Sequence, residues 1–134
     1  MKEINANDFN EIVLQGGKVA VDFYSTECAP CEALAPKFES CADLYGNDIT
    51  FVKIFRQQNR ELATSLGVSS SPSVLFFENG KKVGKMLTGG IKRSELMEQL
   101  DAMLPAEKVA VIKSNIKKTE SHYDVVILGG GPAG

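Results

Sequence analysis

Two apolar runs, KVAVDFY at 18–24 and ITFVKIF at 49–55, constrain the fold more than any other feature of this sequence. Each run has the length of a β-strand and is rich in β-branched and aromatic residues. Their apolar character is nearly continuous, which is typical of strands that are covered on both faces of a sheet. Between them, CEALAPKFESCADLY has apolar residues at helical spacing, with Pro36 inside the predicted helix. This order predicts a sheet covered by helices.

The flanking segments extend this pattern. ANDFNEIVLQGG predicts a short helix with Asn7 as its N-cap, and NRELATSLG and KRSELMEQLDAML predict two more helices. PSVLFFENGKKVGKML predicts two strands joined through Asn79 and Gly80, a pair typical of tight hairpins. The predicted order is helix, strand, helix, strand, helix, hairpin, helix. The predicted fold class is therefore α/β, with a mixed central sheet and helices on both faces.

Charge and composition exclude several classes of function. The chain has 134 residues and a net charge of −2, so no strong attraction to nucleic acid or to an anionic membrane is expected. The N-terminus lacks the apolar run of a signal peptide, and no stretch approaches the roughly 20 apolar residues that a membrane span needs. We therefore expect a cytoplasmic protein in a reducing setting, where a close cysteine pair is more often catalytic or metal-binding than structural.

Cys28 and Cys31, in TECAPCEALAP, are the main candidates for chemistry. If Cys28 begins the following helix, the first-turn N–H groups and the helix dipole stabilise a thiolate there. Two intervening residues let the sulfurs bond reversibly, so that one thiolate can attack a partner's disulfide and the other thiol can resolve the mixed disulfide. Pro30 stiffens the turn between them.

Two other interpretations of the pair are weaker. A zinc site would use Cys28, Cys31, Cys41 and His122, but Cys41 falls on the apolar face of the same helix and His122 falls in a connector. A structural disulfide over so short a loop would gain little chain entropy. We therefore favour redox chemistry, expect no metal site, and interpret Cys41 as a small buried hydrophobe.

Three segments, VAVDFYSTECAPCEALAPKFE, SSSPSVLFFENGKKV and LTGG, together resemble the thioredoxin family over about residues 5–104. The resemblance implies the thioredoxin fold and a protein dithiol–disulfide oxidoreductase that needs no cofactor in this chain. It also implies that Cys28 is the nucleophile and Cys31 the buried resolving thiol. Asp22 then corresponds to the buried carboxylate below the pair, and Lys53 to the lysine near that carboxylate.

The same resemblance implies a substrate-binding surface around the cysteines. Its predicted members are Glu27, Ala29, Pro30, Ser71, Pro72, Gly89 and Gly90. Pro72 corresponds to the cis-proline that faces the cysteines, and Ser71 to the residue whose backbone pairs with the substrate. The groove glycine corresponds to either Gly89 or Gly90, and the sequence does not choose between them.

Asp22 also has a physical argument of its own. Burying a carboxylate in an otherwise apolar strand costs free energy, so such a group usually has a function or a charged partner. Desolvation should raise the pKa of Asp22 toward the value of a useful general base. The alternative interpretation is a core aspartate that is satisfied by water or paired with Lys53.

The chain departs from the family's usual Trp-Cys-Gly-Pro-Cys at two positions, Glu27 and Ala29, and it contains no Trp. Glu27 adds a negative charge beside the nucleophile, which should oppose the thiolate. Arg56, in FRQQN, stands where the family usually has an acidic residue. These changes concern the choice of partners rather than the chemistry. Pro30, in place of a histidine or bulky polar residue, favours a reductant over an oxidant or isomerase.

The last segment, YDVVILGGGPAG, is an apolar strand that runs into G-x-G-x-x-G, with Gly129, Gly131 and Gly134 as the three glycines. It resembles the first strand and phosphate loop of an FAD-binding Rossmann domain. Its Gly-Pro-Ala-Gly is similar to that of pyridine nucleotide–disulfide reductases such as thioredoxin reductase. The three glycines would bind FAD only in a longer protein.

The predicted organisation therefore has three parts: a thioredoxin domain at 1–104, a linker at 105–122, and the truncated start of an FAD-binding domain at 123–134. The expected partners are protein disulfides and a fused flavoprotein reductase that supplies electrons, and the fragment itself is expected to be a monomer. Two alternatives remain. One is a thioredoxin-like interaction module without turnover, and the other is a domain dedicated to one peroxiredoxin-type partner.

Overall fold

The structure, a computed structural model, describes residues 2–114. Five strands in this part of the chain form one sheet: β1 (Lys2–Ile4), β2 (Lys18–Tyr24), β3 (Thr50–Phe55), β4 (Ser73–Glu78) and β5 (Lys81–Thr88). The α-helices are α1 (Ala6–Phe9), α2 (Ala29–Tyr45), α3 (Arg60–Ser65) and α4 (Arg93–Ala102). A π-helical segment, Asn10–Leu14, continues α1, and a 3-10 turn, Arg56–Gln58, lies between β3 and α3.

The sheet is mixed, with the strand order β1-β3-β2-β4-β5. The β1–β3 and β2–β3 pairs are parallel, whereas the β2–β4 and β4–β5 pairs are antiparallel. Asn79 and Gly80, between β4 and β5, both have positive φ, at 54° and 85°, as a tight hairpin turn requires. The predicted fold class, the thioredoxin fold with a mixed central sheet, is confirmed.

Helices cover both faces of the sheet. On one face, Val19, Val21 and Phe23 of β2 belong to a buried cluster that includes residues of α1, the π-helical segment and α3. On the other face, Phe38 of α2 packs against Phe51 of β3, with ring centroids 5.2 Å apart. Because side chains alternate along a strand, Asp22 and Lys53 lie on the face that α2 covers. The β2–β3 register makes them direct Cα partners.

Two details differ from the prediction. The N-cap of α1 is Asn5, whose side chain accepts hydrogen bonds from the backbone N–H groups of Asn7 and Asp8, so the assignment of Asn7 was wrong. The helix begins before the apolar stripe from which its start was inferred. The strand β1 was missed, because three residues are too few for a periodic signal.

The chain divides after Met103 into two compact units. The first carries the sheet and the four α-helices, and the second begins at Leu104 and includes helical residues 106–114, which fall within the predicted linker. The boundaries predicted at 104 and 122 remain predictions. Gly129, Gly131 and Gly134 lie outside the described residues. Within residues 2–114, no helix is both long enough and apolar enough to cross a membrane.

Candidate active site

The cysteine pair lies at the start of α2. Cys28 is the N-cap, Ala29 and Pro30 form the exposed first turn, and the Cys31 backbone N–H points at Cys28 Sγ from 3.3 Å. A disulfide joins Cys28 to Cys31, whose Cα atoms are 5.2 Å apart. Cys28 is half-buried, whereas Cys31 is only 8% exposed. When the pair is reduced, the N–H group and the helix dipole favour negative charge on Cys28, the more accessible sulfur.

A second segment borders Cys28. The Ser71–Pro72 peptide bond is cis, and the Ser71 carbonyl oxygen lies 3.6 Å from Cys28 Sγ. The backbone N–H of Gly89 donates a hydrogen bond to the Pro72 carbonyl at 3.2 Å, and Gly89 has a φ of 74°. The fold thus brings Ser71, Pro72 and Gly89 together beside the nucleophile candidate, and Gly90 is the next residue along the chain.

Asp22 is 6% exposed, and no described residue donates a hydrogen bond to its Oδ1. Burial raises the pKa of Asp22 from 3.8 to about 7, and the smaller, opposing effect of the Lys53 charge lowers it. The direction agrees with the expectation from sequence. A cavity of about 170 Å³ has Asp22, Lys53 and Cys31 in its lining. The carboxylate and the inner cysteine therefore face one space that is large enough to hold water.

Lys53 also contacts an aromatic ring that the sequence did not single out. Its Nζ lies 5.4 Å from the centroid of the Tyr24 ring, within the range of a cation–π contact. The Tyr24 hydroxyl donates a hydrogen bond to a Glu3 carboxylate oxygen at 2.6 Å. Burial raises the pKa of Tyr24 to about 12, with this bond and the nearby negative charges adding to the effect. These contacts help to fix the position of the Lys53 ammonium group.

The 3-10 turn Arg56–Gln58 contacts both segments that border the cysteines. The Gln57 Oε1 atom accepts hydrogen bonds from Thr26 Oγ1 at 3.1 Å and from the Thr26 backbone N–H at 3.4 Å. The Arg56 Nε–H group donates to Ser71 Oγ at 2.7 Å. Sequence reasoning missed Gln57, and no local pattern could have identified it, because 31 positions separate it from Thr26.

Glu27 is exposed and has a φ of 52°, in the left-handed region that non-glycine residues rarely adopt. It sits between Thr26, which is held by Gln57, and the helix cap at Cys28. The side chain therefore projects from a constrained position directly beside the cysteine pair. This position is consistent with the prediction that Glu27 belongs to the substrate-binding surface, and its role there stays a prediction.

Cys41 lies on the buried face of α2 and is not part of the disulfide. Burial raises the pKa of its thiol to about 11, so it is protonated at neutral pH. Within residues 2–114, no group of three or more His, Cys, Asp or Glu side chains is arranged to hold a metal ion. His122, the fourth zinc ligand considered above, lies outside the described residues.

Comparisons with known proteins indicate the same family that the sequence motifs resemble. The thioredoxin family model matches residues 1–102. Thioredoxin-1 of Schizosaccharomyces pombe is 36% identical over 112 residues, which cover 84% of this chain and 94% of that protein. Thioredoxin of Mycoplasmoides gallisepticum is 39% identical over 101 residues, covering 75% of this chain and 99% of that protein. The crystal structure of Malassezia sympodialis thioredoxin (Mala s 13) matches with a TM-score of 0.70 and 26% identity, over 77% of this chain and 90% of that one.

Proposed function

The chain belongs to the thioredoxin family and is a thiol–disulfide oxidoreductase with a Cys28–Cys31 pair, and on this premise we propose that it reduces protein disulfides with Cys28 as the nucleophile. Thioredoxins act on protein disulfides, and their chemistry needs no cofactor. One observation carries the assignment of roles. Cys28 is the more exposed sulfur and receives the Cys31 N–H at the start of α2, whereas Cys31 is buried. The thiolate is the reactive form of a cysteine, and these features favour it at Cys28.

The proposed reaction has two exchange steps. The Cys28 thiolate attacks one sulfur of the substrate disulfide, a mixed disulfide forms, and the other substrate sulfur leaves as a thiolate that takes up a proton. Cys31 then loses its proton and attacks Cys28 Sγ. This step releases the second substrate thiol and leaves the Cys28–Cys31 disulfide. The substrate gains two electrons and two protons, and the pair loses them.

Asp22 is the proposed general base for Cys31. A base works best when its pKa lies near the working pH, and burial raises the pKa of Asp22 to about 7. The cavity that Asp22 shares with Cys31 supports this role, because a water molecule there could carry the proton between them. Lys53, the Cα partner of Asp22, limits the rise in its pKa.

The proposed substrate groove lies around Ser71 and Pro72. An extended substrate segment would pair with the backbone of Ser71, whose carbonyl lies 3.6 Å from Cys28 Sγ. Gly89, hydrogen-bonded to Pro72, and the adjacent Gly90 would let the substrate backbone approach closely. The exposed Glu27, Ala29 and Pro30 would form the part of this surface next to the cysteines. Glu27 precedes Cys28 in the chain, and Ala29 and Pro30 follow it.

The proposed source of electrons is a flavoprotein reductase in the same polypeptide, as the resemblance of residues 123–134 to the start of an FAD-binding domain implies. Tethering would raise the effective concentration of the oxidised pair at the flavin site. The polypeptide extended past Gly134 should then show flavin absorbance. Its thioredoxin domain should be reduced faster than the same domain added separately at equal concentration. No flavin, or equal rates, would refute the fusion.

The assigned roles of the cysteines can be tested with two single variants. Cys31→Ser should accumulate a mixed disulfide with a substrate such as insulin, because the resolving thiol is gone, whereas Cys28→Ser should not. Non-reducing electrophoresis and mass spectrometry would measure the adduct, with Cys41→Ala as the matched control that still turns over. If Cys28→Ser traps substrate and Cys31→Ser does not, the assignment is reversed. If wild type reduces no protein disulfide, the chain is an interaction module. The same assay after cell fractionation would test the proposed cytoplasmic location.

A further inference from the structure

Arg56 links the 3-10 turn to the proposed substrate groove. Its Nε–H group donates to Ser71 Oγ at 2.7 Å, and the carbonyl of the same serine lies 3.6 Å from Cys28 Sγ. The arginine is half-buried, so its position is defined by the fold rather than left to solvent. A guanidinium group has five N–H donors, and the bond to Ser71 uses one of them. The two terminal nitrogens form a fork that matches a carboxylate.

A second cationic residue, Arg60, lies near Arg56. A cavity of about 290 Å³ has both Arg56 and Arg60 in its lining. The exposed hydroxyl side chains of Thr64 and Ser69 also line it, and none of the described residues in this lining is acidic. Two arginines and two residues with hydroxyl side chains therefore border this cavity. Such a set of donors suits an anion, and a planar carboxylate in particular.

We propose that Arg56 and Arg60 form a carboxylate subsite, which selects protein substrates with an Asp or Glu close to the reactive cysteine. This inference rests on the proposed function, because it requires a substrate segment at Ser71. A segment paired with the Ser71 backbone would place a neighbouring side chain beside the guanidinium group that is bonded to the Ser71 hydroxyl.

The test uses the reduced chain of residues 1–134 and short peptides, each oxidised to a dimer through its one cysteine. Three otherwise identical peptides carry Glu, Gln or Lys on both sides of that cysteine. In each reaction Cys28 and Cys31 form a disulfide, and the peptide dimer becomes two peptide thiols. The second-order rate constant is followed by acid quenching, alkylation and mass spectrometry. Wild type should reduce the Glu peptide about five- to tenfold faster than the Gln peptide, with the preference falling as salt rises.

Variants of the two arginines separate recognition of the carboxylate from positioning of Ser71. Arg60→Gln, which leaves the bond between Arg56 and Ser71 intact, should bring the ratio of Glu to Gln rates most of the way to one. Arg56→Gln should do so as well, and Arg56→Lys should keep part of the preference, because the charge remains and the fork is lost. Lys81→Gln removes a positive charge at the hairpin end of β5 and should leave the ratio unchanged.

The possible outcomes distinguish failure of the carboxylate subsite from failure of the proposed function. If wild type reduces the Glu and Gln peptides at equal rates, the subsite is refuted and the proposed function stands. If Arg56→Gln slows all three peptides equally and Arg60→Gln changes nothing, Arg56 only positions Ser71 and the subsite is likewise refuted. If wild type reduces none of the peptides and no protein disulfide, both proposals fail.

Discussion

Replacing Asp22 with Asn should make the protein more stable, and the gain should depend on pH. Burial raises the pKa of Asp22 from 3.8 to about 7, which corresponds to about 4 kcal/mol in favour of the neutral carboxyl in the folded state. The unfolded chain ionises this group near pH 4, but the folded protein keeps the proton until about pH 7. The folded state therefore binds more protons in this window, and the free energy of unfolding falls as pH rises.

The expected slope is about 1.4 kcal/mol per pH unit between about pH 4 and pH 7, with no further change from this group above that range. Asn has nearly the same shape as the neutral carboxylic acid and does not titrate. The variant should match wild type near pH 4 and exceed it by up to about 4 kcal/mol near pH 8. Removing Lys53 should enlarge this difference, because its charge lowers the pKa of Asp22.

Urea unfolding of the oxidised protein, followed by far-UV circular dichroism at several pH values, measures the difference directly. Asp43→Asn, at an exposed position on α2, controls for the loss of a surface charge. The reasoning is refuted if the Asp22→Asn variant differs from wild type by the same amount at pH 4 and pH 8. Such a result would mean that the ionised Asp22 carboxylate is as stable in the folded protein as it is in water.

Further predictions concern Lys53, Cys41 and Glu27. Lys53→Met should move the pH dependence of disulfide reduction to higher pH, because the ammonium group no longer lowers the pKa of Asp22. An unchanged pH profile would mean that Lys53 does not influence the general base. Cys41→Ala should keep full turnover with insulin and lose about 1 kcal/mol of stability, since its thiol is buried; loss of turnover in a folded protein would give Cys41 a redox role. Glu27→Gly should raise the free energy of unfolding by up to about 1 kcal/mol, because glycine tolerates the φ of 52°, whereas destabilisation would mean that the Glu27 side chain makes a needed contact.

Glu27→Gln, in contrast, keeps the backbone preference and removes only the charge, so it should speed the alkylation of Cys28 near neutral pH. Equal alkylation rates at every pH would make Glu27 a solvated surface charge with no influence on the thiolate.

Local patterns in the sequence determined most of the fold. The apolar runs at 18–24 and 49–55 became β2 and β3, and Asn79 with Gly80 became the turn between β4 and β5. These features could be predicted because strand character and turn geometry depend on residues a few positions apart. The location of Cys28 at the start of a helix was predictable for the same reason. The burial of Asp22 followed from the apolar residues on both sides of it.

Only the tertiary structure decided which distant residues meet. The β2–β3 register makes Lys53 the partner of Asp22, and the same packing joins Gln57 to Thr26 and Arg56 to Ser71. It also brings the Gly89 N–H to the Pro72 carbonyl, a contact that the sequence does not specify. These contacts connect segments that are 15 to 31 positions apart, as in Arg56–Ser71 and Thr26–Gln57. Their geometry depends on strand order and register, which the spacing of apolar residues within one segment does not specify.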